Sequence, residues 1–243
     1  MTLRTDDGLS LAAWYVPSRN GAAVISYPTR QGRLPQARML LRHGYGVLLV
    51  DARGYDGSDG NPNVFGWKGA KDVDAAVAWL EQRADVTNGR IGGIGFSVGG
   101  EVMLEAAASN SGIRAVVSEG AGVRSVREHL LRGRRGWFSL PEVAVQTAAV
   151  AVMSGATPPP SLSDLVPRIA PRPLLLVYAG PRRRRRRADD PPLLRSRRRA
   201  QDCVEDRRGR PRRRPRGAPA RIRAARRRLP RRSATGGRAT VNA

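Results

Sequence analysis

The sequence is short of three things, and each shortage excludes something. Cysteine occurs once, at Cys203, so no intramolecular disulfide can form and a reducing compartment is no obstacle. Histidine occurs twice, at His43 and His129, which leaves few residues able to serve as a general base near neutral pH. Long apolar runs are missing as well. Val143 to Met153, the most apolar later stretch, is too short to span a bilayer and is flanked by Glu142. The opening "MTLRTDDGLSLAAWYV" has no charged segment leading into an apolar one, as a secretory leader would. The expectation is a cytoplasmic protein with no membrane partner.

Acidic and aromatic residues are scarce in one region only. Residues 1–180 carry 19 of the 44 basic residues and 15 of the 20 acidic ones, leaving 25 and 5 for residues 181–243. Every basic residue of that tail is arginine, and it holds no Phe, Tyr or Trp. Such a segment repels itself and cannot bury enough apolar surface to offset its ordering entropy, so it is expected to be disordered. The chain thus divides into a body, residues 1–180, and an Arg/Pro-rich tail, residues 181–243.

The body alternates. Leu3 to Thr5 and Leu9 to Val16 read as a hairpin around Asp6-Asp7-Gly8. Ala22 to Tyr27, Gly46 to Val50, Arg90 to Gly95, Ala115 to Glu119 and Pro173 to Ala179 read as strands. Helices are expected over Leu34 to His43, stopped by Gly44, over Trp67 to Gln82, with Val73, Ala76, Val77 and Leu80 on one face, and from about Gly99 to Ser109. Apolar strands alternating with amphipathic helices imply a mostly parallel sheet covered on both faces, a three-layer α/β fold. Val123 to Leu165 interrupts the alternation. It is either a lid over the carboxyl edge of the sheet or a crossover helix with a long loop.

"GFSVGG" sets Gly95, Ser97 and Gly99 between a predicted strand and a predicted helix. A serine there sits on a sharp turn, and glycines on either side remove the Cβ atoms that would collide as strand and helix approach. The turn also aims the N–H of Val98 and the positive end of the helix at a developing oxyanion. Together with the hairpin "RTDDGLSLAAWYVP", the segment "RHGYGVLLVDARGYDGSDG", the helix "DVDAAVAWLEQR" and the strand "RPLLLVYAG", this motif resembles the α/β-hydrolase superfamily, in particular its dienelactone-hydrolase-like and serine-peptidase-like bacterial branches. The resemblance spans roughly residues 3–180. It implies that Ser97 is the nucleophile of an acyl-enzyme mechanism on an ester, thioester, lactone or amide, that Val98 supplies one oxyanion N–H, and that no cofactor or metal takes part. The second oxyanion donor should follow the third strand, where the family usually has a His-Gly pair and this chain has "SYPTRQG". Pro28 has no N–H, so Thr29 is the better candidate and Arg30 the next. Asp51, Arg53, Asp56 and Asp59 in "DARGYDGSDG" are read as loop organisers, since Asp-Gly pairs form turns first. "LPEVAVQTAAVAVM" in the interruption is read as lining an apolar acyl pocket for a small-molecule substrate.

The resemblance also exposes a gap. The acid should follow the last strand and the histidine should follow one strand more, yet both histidines precede it. His43 is read as a helix-end residue; His129 lacks a supporting acid. Asp189 and Asp190 are the nearest carboxylates after the strand, and Asp202, Glu205 and Asp206 are weaker candidates. The chain as written is therefore expected to be an impaired or inactive hydrolase, lacking the last strand and helix.

Arginine-rich, lysine-free sequence full of Pro, Ala and Gly is what GC-rich DNA gives out of frame. Gln201 to Pro211, shifted by one nucleotide, is compatible with K-T-V-W-K-I-A-E-A-G-H, a strand ending in histidine. Ala224 to Arg231 is likewise compatible with R-R-V-V-A-F-L-D, a helical pattern. The expectation is a reading-frame shift after Gly180, in the gene or its recorded sequence. The rival is a non-enzymatic nucleic-acid-binding or scaffold protein whose tail engages phosphates. That tail has no aromatic residue to stack on bases, so any such binding would be adventitious.

Overall fold

The computed structural model describes residues 1–178 except 62–64, 123 and 131–136. The arginine-rich tail, the end of the last expected strand, and Asp189, Asp190, Asp202, Glu205 and Asp206 lie outside the described residues, as does the side chain of His129.

Among the described residues, seven strands form one sheet in the order β1-β2-β4-β3-β5-β6-β7. Strands β1 (Thr2–Arg4) and β2 (Ser10–Val16) pair antiparallel around the Asp6-Asp7-Gly8 turn. Gly8 adopts φ 88°, a conformation that suits glycine. β2 also runs antiparallel to β4 (Gly46–Val50), and every later pairing is parallel: β4 with β3 (Ala23–Tyr27), β3 with β5 (Ile91–Phe96), β5 with β6 (Ile113–Glu119) and β6 with β7 (Leu174–Val177).

Alternation along β4 shows the layers. Val47 and Leu49 face α1 (Leu34–Arg42), meeting Ala37. Leu48 and Val50 point the other way, into the main core shared by α2 (Gly69–Glu81), α3 (Val98–Ser109) and α6 (Leu162–Ile169). The face expected of α2 is the one that is buried: Val73, Ala76, Val77 and Leu80 are at most 2% exposed. Each of the larger ones contributes about 1.5–3 kcal/mol by leaving water. The helix begins two residues later than expected because Lys68 takes a left-handed φ of 63°.

The interrupting segment is resolved into α4 (Val126–Leu130), α5 (Leu140–Ser154) and α6. Helix α6 starts at Leu162, inside the interruption's last residues, and Leu162, Leu165, Val166 and Ile169 belong to the main core. Leucine, valine and isoleucine at helical spacing bring this helix into the core directly after the prolines Pro158 to Pro160.

Candidate active site

Strand β5 ends at Phe96 and α3 starts at Val98, so one residue turns the chain. That residue, Ser97, has φ 54° and ψ −123°, a conformation that costs an L-residue about 1–3 kcal/mol unless its surroundings enforce it. They do. The Ser97 N–H donates to Glu119 O at the end of β6 (2.7 Å), and Ser97 O accepts from Gly100 N (2.8 Å) and Glu101 N (3.3 Å). A Cβ at Gly95 would lie 2.7 Å from Gly100 Cα, and one at Gly99 would lie 2.6 Å from Tyr27 O and 2.8 Å from Pro28 N. Both glycines are therefore required by close approach, and the turn is packed directly against the end of β3. Ser97 is exposed. The Val98 N–H, at the first position of a twelve-residue helix, makes no hydrogen bond among the described residues.

The loop after β3 separates the two remaining oxyanion candidates. The Arg30 N–H donates to Asp51 Oδ1 (2.6 Å), so it is not free to meet a substrate, and Arg30 drops out. Its guanidinium is equally committed: Nε pairs with Asp51 Oδ2, Nη2 donates to Asp56 O (2.8 Å), and the group lies 4.7 Å from the Trp14 ring centre. Burial pushes the fully buried Asp51 carboxyl up, while the bonds from Arg30 pull the other way. Thr29 keeps its N–H without a partner among the described residues, its Oγ1 accepting from Gln31 N (3.2 Å).

The other members of "DARGYDGSDG" hold the fold. Arg53 joins Asp72 and Asp7, each by an ion pair, and Asp59 Oδ2 accepts the Ser10 N–H (2.9 Å). No group of His, Cys, Asp and Glu among the described residues is arranged to hold a metal ion.

Beside the turn lies a cavity of about 150 Å³, whose walls include Trp67, Val98, Glu101 and Arg124, with Val143, Gln146, Thr147 and Val150 of α5 forming its roof. Helix α5 of the interrupting segment contributes polar as well as apolar groups to this cavity. Glu101 sits one helical turn beyond Ser97. Burial pushes its carboxyl up, opposed by the Gly122 N–H on Oε1 (2.9 Å) and the charge of Arg124, and reinforced by Glu128. Arg124 is almost wholly buried, pairing with Glu105 and donating to Gly66 O (3.1 Å).

Sequence reasoning missed Glu101, Arg124 and the Arg30–Asp51 pair. Glu101 was findable, because Ser97 plus four on the following helix necessarily faces back toward the turn. The other contacts join residues far apart in the chain and leave no local pattern. His43 caps the C-terminal end of α1, just before β4, at the edge of the sheet opposite Ser97. Five strand residues at about 3.3 Å each separate the two edges, so His43 is not brought to Ser97.

Among the described residues, no helix is long and apolar enough to cross a membrane. The sequence profile of the X-Pro dipeptidyl-peptidase (S15) family matches residues 10–203. The protein Rv2307c of Mycobacterium tuberculosis is 30% identical over 197 residues, which cover 75% of this chain and 68% of that one. The polyketide transferase grgF of Penicillium is 34% identical over 122 residues, 47% of this chain and 42% of the relative. Among solved structures, the Pyrococcus furiosus esterase Pf2001 superposes with a TM-score of 0.56 at 25% identity, covering 72% of this chain and 68% of the esterase. The Penicillium α/β hydrolase GrgF gives 0.56 at 23% identity, covering 73% and 78%, a likeness of fold.

Proposed function

This chain belongs to the X-Pro dipeptidyl-peptidase (S15) family within the α/β-hydrolase superfamily, and from its serine-hydrolase class we propose that it cleaves a carboxylic ester, thioester, lactone or amide through an acyl-enzyme at Ser97. The observation that carries the proposal is the strained turn at Ser97, enforced by Gly95 and Gly99 and set beside a cavity. The serine hydroxyl attacks the carbonyl carbon, and the tetrahedral oxyanion accepts hydrogen bonds from the N–H groups of Val98 and Thr29. The leaving group departs with a proton, and water later releases the acyl group as a carboxylic acid, regenerating Ser97. The cavity of about 150 Å³ lined by Val98, the residue after Ser97, is the place proposed for a small acyl group.

The general base is not among the described residues in a position to act, and Asp189 remains the proposed acid. A reading-frame shift after Gly180 accounts for this gap, since the shifted codons for Gln201 to Pro211 admit a histidine in the expected order. Leu175 at 40% and Val177 at 37% exposed leave one face of β7 open, which is compatible with a further strand and helix in the shifted frame. The nucleotide sequence tests it: codons there that cannot yield a shifted histidine end the idea.

The proposed function is tested by exposing the purified chain to a fluorophosphonate and to p-nitrophenyl acetate. Labelling that disappears in Ser97→Ala, with hydrolysis very weak or absent for want of the base, is the expected result. Labelling that persists in Ser97→Ala removes Ser97 as the nucleophile.

A further inference from the structure

We propose that Glu128 is a positioning residue for the site: one buried carboxylate seats α5 over the cavity beside Ser97 by clamping both roots of the segment that carries it. The inference rests on reading that cavity as the acyl site. Glu128 is 1% exposed. With Ser125 it makes the reciprocal exchange of a capping box, in which a serine before a helix and a glutamate three residues on satisfy each other's N–H groups. Glu128 N donates to Ser125 Oγ (3.2 Å), and Glu128 Oε2 accepts from Ser125 N (3.2 Å) and Arg124 N (2.9 Å). That exchange uses one carboxylate oxygen.

The other oxygen reaches elsewhere. Oε1 accepts from Ser161 Oγ (3.0 Å) and from Ser163 N (2.9 Å) at the start of α6. A cap serving only the five-residue α4 would need neither contact. The same carboxylate thus lies at the N-termini of two helices, where backbone N–H groups and helix dipoles both favour negative charge. Arg127 and Asp164 pair nearby at 2.7 Å, but their side chains are 69% and 45% exposed, so water weakens that link.

Between these roots lies α5, and its hydrogen bonds with described residues are internal or to its own cap: Gln146 to Glu142 (3.1 Å), Ser154 to Val150 (2.6 Å) and Val143 N to Ser139 O (3.0 Å). Its outer side leaves Val145 69% and Val152 84% exposed, so those residues hold nothing down. The seat of α5 therefore depends on the packing of its inner side around the cavity and on the clamp at its base. Through the Arg124 backbone the clamp also fixes the guanidinium that forms part of the cavity wall.

Hydrogen exchange of the full chain tests the clamp without needing activity. Glu128→Ala should raise exchange across residues 140–154 by about tenfold and leave residues 98–109 unchanged. Ser161→Ala keeps the capping box and removes one cross-root bond, so it should show the same pattern to a smaller degree and serves if Glu128→Ala fails to fold. Glu128→Gln, which retains one acceptor oxygen, should restore part of the protection. A second readout is the ratio of Ser97 labelling by ethyl and decyl fluorophosphonates. Wild type should favour the ethyl reagent, and Glu128→Ala should narrow that preference severalfold. Wild-type exchange over residues 140–154 in both alanine variants overturns the proposal, as does exchange rising equally in α3, or an unchanged labelling ratio where exchange has changed. Absence of labelling in every protein, wild type included, is what a Ser97 without its base gives, and exchange over residues 140–154 then decides the clamp.

Discussion

At its hairpin edge the sheet is bounded by charge, whereas at the β7 edge it ends in exposed leucine and valine. Around the β1–β2 turn, Asp7 pairs with Arg53, Arg53 with the buried Asp72, and Lys71 with Asp6. At β6 and β7 the two faces differ instead. Val116 and Leu174 are buried within the main core, while Ala115, Leu175 and Val177 on the opposite face stay exposed and Val117 only half-buried. Strands in parallel pairing normally have both faces covered. The β7 edge is therefore open to a further layer on that face, whereas the hairpin edge, although Trp14 and Val16 of the neighbouring β2 are also exposed, is tied by ion pairs around its turn.

The largest effect expected from this contrast comes from two neighbouring leucines. Leu174→Ala removes a core side chain that is 5% exposed, and should cost about 2–5 kcal/mol in denaturant unfolding. Leu175→Ala alters the open face and should cost less than about 1 kcal/mol. Comparable losses at both positions would mean that the open face is covered in solution, and the contrast between the edges would fall.

A smaller effect sharpens the same contrast. Replacing Leu175 and Val177 together by lysine should reduce the binding of a hydrophobic dye, because an exposed apolar strip is what such dyes detect. Stability should move by no more than about 0.5 kcal/mol per site. A large stability loss instead would reveal a partner layer that these side chains touch.

How far the sequence could be read divides along similar lines. The elbow was legible because its requirement is local: Gly95 and Gly99 must lack side chains wherever a strand turns into a helix in a single residue. The alternating burial of β2 and the apolar stripe of α2 were legible by periodicity. Helix α6 is not among the expected helices: its apolar residues follow directly on Pro158 to Pro160, where helical periodicity is broken. "SVRE" at Ser125 to Glu128 would have given the capping box, but not the bond from the same carboxylate to Ser161, which depends on tertiary placement. The Arg30–Asp51 pair was hidden for the same reason, and it decides which N–H in the loop after β3 stays free.

A pH-dependent effect is expected at the hairpin edge. The Arg53 guanidinium hydrogen-bonded to Asp7 lowers that carboxyl to about 2, against burial that would raise it, with a further lowering bond from Thr5. A carboxylate whose value in the folded state lies below its ordinary 3.8 binds protons more readily when unfolded. Its stabilisation is therefore fully present above about pH 4 and is lost as pH falls through 2. Because Asp7 is partly exposed, solvent screening cuts the contribution to about 1 kcal/mol. Asp7→Asn should then destabilise the protein by that amount at pH 6, and the difference from wild type should shrink steadily below pH 4. The hairpin edge owes that part of its closure to charge if the difference follows this course. A difference that stays constant down to pH 2 would show that Asp7 acts there through shape or hydrogen bonding instead, and charge would no longer distinguish this edge from the one at β7.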